Sequence, residues 1–419
     1  MQKRFFSIIA LGVIIILTIS GLTACGNDKK SEVILDFVWF SDSVEGEVVK
    51  SIINDYEEIN KNITINLIEV PYKELRTTIE CMISEGKTPA FARVSNPRAY
   101  SELSQPLNDY YDENITDQFV ISLKPYYTIG EEVLAIPTDA TVNGMIYNKT
   151  LFDKAGVDVP LSRDDIWNWD ECVEAVKIVK DKGGAQYGIL WDASPQRWST
   201  ILYDFGGRIV NKDGTKMTIN NEKGIAVLEY FKRMNDEDVV TNSVWLNGED
   251  TSSLFRAGEA AIHFSGNWMM ANYRDLSNFE WGVTYVPTGE NRSSVPSGKF
   301  VLAFKDTGVE EETVNFIKYL TSKEVNARYC TESLLLSPRV DNNELEYQFG
   351  KEFFEIFAEE LNNTPEIAAE DWSKQNLMPV IYGDVKTYIT EVIRGKYTVK
   401  EALDNVAAIG DDVIKKNEK

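Results

Sequence analysis

Residues 33–40, VILDFVWF, form a nearly unbroken β-branched and aromatic run that predicts a buried strand. Residues 47–60, EVVKSIINDYEEIN, repeat apolar positions at helical spacing, and residues 63–70, ITINLIEV, alternate with period two. Strand, helix, strand is the opening of an α/β fold. Further along, Asn168 predicts a helix N-cap, with Glu171 three residues on and Cys172, Val173, Val176 and Val179 on one face. Gly183 and Gly184 should stop that helix. Residues 208–220, RIVNKDGTKMTIN, read as a hairpin about Asp213-Gly214, and residues 399–416, VKEALDNVAAIGDDVIKK, as a closing amphipathic helix. The chain shows no internal repeat and no low-complexity tract.

The N-terminus has a different pattern. Lys3 and Arg4 precede an apolar run over residues 5–20, and small residues Thr23 and Ala24 follow, as in an export signal. An uncleaved membrane helix is the alternative, since the run approaches the roughly 20 residues that span a bilayer. It is disfavoured because the apolar run leads directly into a cleavage-like tetrapeptide. That tetrapeptide, Leu22-Thr23-Ala24-Cys25, resembles the lipobox of bacterial lipoproteins, which implies removal of residues 1–24 and lipidation of Cys25. Two acyl chains would hold the mature chain stably on the membrane, whereas one would not. Residues 25–32 then read as a polar tether, and the protein as one that works outside the cytoplasm.

Composition narrows the partners. Without residues 1–24 the chain keeps 41 basic and 66 acidic residues, a net charge of −25. That balance argues against nucleic acid, whose phosphates it would repel. A chain of 419 residues with 43% hydrophobic residues is more consistent with two domains than with one. Cys81, Cys172 and Cys330 are odd in number and widely spaced, so they read as buried thiols and not as a disulfide framework or metal cluster. His263 is the only histidine; a Ser-His-Asp triad would have to use it, and the simpler reading is a packed strand histidine. Asn211, Asp213 and Glu222 fit positions 1, 3 and 12 of a calcium loop, but Lys216 stands where that loop needs glycine, which favours a plain turn.

Several segments, taken in order, resemble one family. They are IPTDATVNGMIYNKTLFDKAGVDVP (136–160) followed by WNWDECVEAVKIVK, then LFRAGEAAIHFSGNWMMANYRD (254–275) with WGVTYVPTG and SGKFVLAF, and finally IRGKYTVKEALDNV (393–406). Together they are similar to the extracellular solute-binding proteins of bacterial sugar ABC transporters, the maltose-binding type, from about residue 33 to the C-terminus. Two departures stand out: PAF (89–91) lacks the family's aspartate after proline, and Asn267 replaces the usual proline before tryptophan. The resemblance implies an α/β, two-lobed periplasmic-binding-protein-like fold of type II. It implies three crossings, near Ile136–Thr141, residues 281–287 and residues 335–340. One lobe would comprise 33–137 plus 284–337 and the other 138–283 plus 338–419, with the ligand cleft between them. It further implies a monomer that serves ABC permease subunits, has no catalytic residues, and needs neither cofactor nor metal.

A sugar site wants aromatic plates for the C–H face of a pyranose and hydrogen-bonding groups for its hydroxyls. The family match makes Trp268 the first stacking candidate, and Tyr382 with Trp372 the next. Trp39 at the end of the first strand, and Trp191 and Trp198 flanking WDASPQRW, are further candidates; for each the alternative is lobe packing. Polar candidates are Asp42, Asn96, Asp139 and Thr141, with Asp139 foremost because a carboxylate can accept two bonds from vicinal hydroxyls. A secreted glycoside hydrolase with two carboxylates is the rival from another class. A same-fold receptor for a peptide or polyol phosphate is a third reading, for which the suspected cleft segments offer few cations, Arg98, Arg197 and Lys299.

Overall fold

The computed structural model describes residues 32–41, 44–111, 114–342, 344–374 and 376–417. The expected leader, the expected lipidation site Cys25 and the candidate Asp42 lie outside the described residues.

Two sheets organise the chain. The main strands are β1 (Val33–Trp39), β2 (Ile63–Glu69), β3 (Phe91–Val94), β4 (Ile136–Thr141), β5 (Asn143–Tyr147), β6 (Tyr187–Trp191), β7 (Ala260–Gly266), β8 (Gly282–Thr284) and β9 (Ser297–Ala303). The first sheet has the order β2-β1-β3-β9-β4 and the second β8-β5-β7-β6. β1 pairs in parallel with both β2 and β3, and its second half, from Phe37 to Trp39, is buried on both faces, whereas Ile34 near its start stays exposed. β2 lies at the sheet edge and keeps the alternation read from its sequence, with Ile63 and Ile65 buried and Thr64 and Asn66 exposed.

Local signals hold where neighbouring residues decide the outcome. The helix Glu45–Ile59 buries Val48, Val49, Ile52, Ile53 and Tyr56 on one face. Asn168 and Glu171 form a reciprocal capping box, with bonds of 3.0 and 2.8 Å, at the start of Trp169–Ile178. Residues 208–220 make a tight turn with one bridge, Val210 to Met217. There the Asn211 side-chain oxygen, first ligand of the calcium pattern, already accepts the N–H groups of Thr215 and Lys216. Cys172 and Cys330 are buried thiols, but Cys81 is exposed, because Leu75 and Ile79 form the inward face of its helix. His263 is a packed strand histidine, its Nδ1 2.8 Å from the Tyr273 hydroxyl.

The chain passes between the sheets at three places. β4 belongs to the first sheet and β5 to the second, with only Val142 between them. The return runs between Thr284 and Ser297, and its early part stays on the second lobe, where Thr288 N–H bonds the Trp167 carbonyl and Asn291 N–H the Asp204 carbonyl. The last passage follows a bridge from Leu336 to Ala140 and an Arg339 bond to the Thr321 carbonyl. It leads into the helix Lys351–Asn363, whose Phe357 packs over Gly144 of β5.

Glu360 fastens the second passage. Its Oε1 accepts the Val286 N–H at 3.0 Å and lies 3.5 Å from Arg292. Burial pushes its carboxyl up to about 7, against the lowering pull of Arg292 and the Val286 N–H. A carboxyl raised above its usual 4.5 favours the folded state in its protonated form. Its contribution is therefore complete below the unfolded value and is lost as pH rises through about 7, a difference of about 3 kcal/mol between the two limits. Urea unfolding at pH 5 and pH 8 is expected to show this loss of stability, and Glu360→Gln to show a smaller difference between the same two pH values.

Candidate functional site

The residues that face the space between the lobes sit just beyond strand ends. β3 ends at Val94 and delivers Ser95 and Asn96; β2 ends at Glu69 and delivers Tyr72, whose hydroxyl is 3.0 Å from that of Ser95. β4 ends at Thr141, and β7 ends at Gly266, two residues before Trp268. These side chains line a cleft of about 820 Å³, with Lys299 of β9 on the first-lobe wall and Arg197, Trp268, Trp372 and Tyr382 on the second. Its size is at the upper part of the roughly 300–1,000 Å³ typical of small-molecule sites.

Trp268 is positioned by its two predecessors. Gly266 is extended, and a Cβ there would come within 2.1 Å of Trp268 Cζ3 and 2.4 Å of the Val142 carbonyl, so the ring needs glycine beneath it. Asn267 is fully buried. Its Oδ1 accepts the Val142 N–H at 2.9 Å and its Nδ2 donates to the Ala140 carbonyl at 3.1 Å, so one side chain holds two successive peptide groups at the entry to the first passage. The Arg197 guanidinium lies 4.8 Å over the Trp268 ring. Behind it stands Asp192, whose Oδ2 is 3.2 Å from Arg197 Nε. Burial pushes the Asp192 carboxyl up, but His263, Arg197 and the Thr251 hydroxyl outweigh it and hold the group well below the usual carboxylate range.

The C-terminal helices supply two more aromatic rings to the cleft. Trp372 and Tyr382 form an edge-to-face pair with centroids 6.1 Å apart. Each is tied to the helix Pro195–Asp204 and its cap, Trp372 Nε1 donating to Ser199 Oγ at 2.9 Å and the Tyr382 hydroxyl lying 3.0 Å from Ser194 Oγ.

Five sequence candidates, Asn96, Thr141, Trp268, Trp372 and Tyr382, are thus brought together. Four are not. Trp39, Trp191 and Trp198 are fully buried. Trp39 meets Phe37 and Tyr329 edge-on, and Trp191 lies between Trp169 and Phe264 at 5.6 and 4.1 Å, so both fill lobe cores. Asp139 is also fully buried, and its Oδ2 is 3.0 Å from Nη2 of the buried Arg93. It balances an internal cation and does not face the cleft. Arg98 bonds the Pro125 and Thr128 carbonyls, whereas Arg197 and Lys299 do reach the cleft. Sequence reasoning missed Tyr72, Tyr126, Gln196 and Asn272, which also line it. Position after a strand end was the available signal for Tyr72; the others arrive on helices whose docking the local pattern does not encode.

A family model described as bacterial extracellular solute-binding protein matches residues 51–341. The chain belongs to the bacterial extracellular solute-binding proteins. Among relatives of this family is the sn-glycerol-3-phosphate-binding periplasmic protein of Yersinia pseudotuberculosis, 23% identical, covering 90% of this chain and 92% of that one. The fold matches a substrate-binding protein of Listeria monocytogenes in complex with cycloalternan (TM-score 0.77, 20% identity, 93% of this chain and 99% of that one). It also matches the cyclic α-maltosyl-1,6-maltose binding protein of Arthrobacter globiformis (TM-score 0.79, 19% identity, 92% and 100%). The solute-binding family is extracellular, and among the described residues no helix is long and apolar enough to cross a membrane.

Two substitutions separate scaffold from site. Asp139→Asn is expected to lower stability by about 3 kcal/mol, by leaving Arg93 short of a counter-charge, with solute affinity unchanged. Asn267→Ala strands the Val142 N–H and the Ala140 carbonyl, and is expected to cost about 3 kcal/mol in urea unfolding and to weaken solute binding as well.

Proposed function

We propose that this solute-binding protein captures a carbohydrate, an oligosaccharide, by closing its lobes, and delivers it to the permease of an ABC importer. The observation that carries the reading is the composition of the cleft: the plates Trp268, Trp372 and Tyr382 on one wall, and amide and hydroxyl groups such as Asn96, Ser95 and Ser297 on the other. Aromatic rings suit the C–H faces of pyranoses, and amides and hydroxyls can both donate to and accept from sugar hydroxyls. Two fold neighbours, described as bound to cycloalternan or as binding a cyclic maltosyl-maltose, agree with this reading.

The hydrolase alternative needs a pair of carboxyl groups about 5–10 Å apart across the scissile bond. No aspartate or glutamate is among the described residues lining the cleft, which favours a receptor. Attachment through lipid on Cys25 would keep the receptor beside its permease and raise its effective concentration there. Closure follows when the ligand touches both walls, because a ligand with equal affinity for open and closed forms shifts neither population.

Calorimetry over a set of neutral and charged oligosaccharides is expected to find a ligand of the full chain, and small-angle scattering a smaller radius of gyration with that ligand bound. Trp268→Ala should cost about 2 kcal/mol of binding, roughly thirtyfold in Kd, with the unfolding midpoint of the unliganded protein little changed. Intact sugar after incubation excludes hydrolysis; unchanged affinity in Trp268→Ala removes that ring from the site.

A further inference from the structure

Trp268, Trp372 and Tyr382, which line the cleft, all meet one short stretch of chain. Residues 192–197 leave β6 and open the helix Pro195–Asp204, with Ser194 at its N-cap. The Ser194 hydroxyl lies 3.0 Å from that of Tyr382, and the Ser199 hydroxyl, one turn on, accepts the Trp372 indole N–H at 2.9 Å. Trp268 is held otherwise, with Gly266 close against its Cζ3 and Cη2 and the Arg197 guanidinium 4.8 Å over its face. A ring contributes most to binding when it is fixed before the solute arrives, because association then carries no cost of ordering it.

Arg197 is in turn held by charge. Asp192 Oδ2 lies 3.2 Å from its Nε as an ion pair, and that Nε makes no hydrogen bond. The contact therefore depends on the sign of Asp192 more than on the direction of a bond. Asp192 is not among the described residues lining the cleft. Its own place is set by other neighbours: the Thr251 hydroxyl donates to its Oδ1, and His263 Nε2 lies 3.8 Å from the same oxygen. His263 is fixed by the Tyr273 hydroxyl, 2.8 Å from its Nδ1. A run of contacts thus leads from the buried strand histidine through Asp192 and Arg197 to the ring in the cleft. Without the carboxylate, the long Arg197 side chain keeps only the ring face to oppose its rotational freedom.

We propose that Asp192 is a positioning residue of the solute site: it anchors the Arg197 guanidinium on the Trp268 ring and so fixes that ring for the solute, without lining the cleft itself. This rests on the reading that the cleft takes the solute. Trp268 is clamped between Gly266 and Arg197, and the clamp is set by the charge of Asp192. Asparagine at position 192 would keep an acceptor for the Thr251 hydroxyl and lose that charge, so it separates anchoring from local packing.

The test uses the full chain and has two arms. In the first, without solute, nitrogen–proton correlation spectra record the tryptophan indole groups, and the signal lost in Trp268→Phe identifies Trp268. Asp192→Asn and Arg197→Gln are each expected to shift that signal, and Asp192→Glu, which keeps the charge, to leave it near its original position. In the second, calorimetry with maltotriose and with cycloalternan is expected to show about fivefold weaker binding in Asp192→Asn and in Arg197→Gln, with no further loss in the double variant. Urea unfolding checks that each variant is folded. An unmoved Trp268 signal in Asp192→Asn overturns the proposal, as do unchanged affinity for a sugar that binds, or losses that add in the double variant. Binding of neither sugar counts against the saccharide reading and leaves this proposal to the spectra, where a shifted signal supports it and an unmoved one overturns it.

Discussion

The two lobes are joined first at a single residue, Val142, and the two successive peptide groups leading into it, on either side of Thr141, are held by one buried amide, that of Asn267. Much of the structure's function depends on that clamp. The strand pair β4 and β5 can belong to different sheets only if the backbone between them has its polar groups satisfied without a ladder partner, and Asn267 provides this. The next residue is Trp268, so the geometry of the passage and the placement of a cleft-lining ring are set within two adjacent positions. At this position the resembling family usually carries proline, which has neither a side-chain amide nor a backbone N–H. Asparagine here can therefore link the passage to the binding wall through bonds that proline cannot make.

Charge is distributed with equal consequence. The first lobe buries Arg93 against Asp139 at 3.0 Å and Glu45 at 3.8 Å, with the Trp39 and Phe40 rings about it. The second lobe buries Asp204, Glu360 and Asp371, each raised first by burial. Asp204 takes the Trp169 indole N–H, and Asp371 is met by Arg208, Tyr203 and the Ile209 N–H. Such acids are costly to desolvate and serve as fixed acceptors for passages and loops that no sheet satisfies. No aspartate or glutamate is among the described residues lining the cleft, and Asp192 stands behind Arg197 at 3.2 Å.

Periodicity, caps and order along the chain made the architecture readable. The runs of β1 and β2, the amphipathic face of Glu45–Ile59 and the Asn168–Glu171 box depend on residues within a few positions of each other. Trp268, Trp372 and Tyr382 were legible through the family's motifs, not through their own surroundings. Asp139 was misread because a lone acid on a strand looks like a ligand group until Arg93, 46 positions away, is brought beside it. Trp39, Trp191 and Trp198 were misread because a tryptophan next to a loop has no local mark to show which side of the sheet will cover it.

The α/β character, the succession of elements, the acidic balance and the membership in an extracellular binding family follow from the order of residues, since each is a local or compositional property. Which aromatics meet solvent, which carboxylates are consumed as internal counter-ions and which cations reach the cleft came from the folded arrangement alone. Those outcomes depend on pairings across long stretches of chain, where burial and partner choice are set by the packing of two lobes and leave no periodic trace in the order of residues.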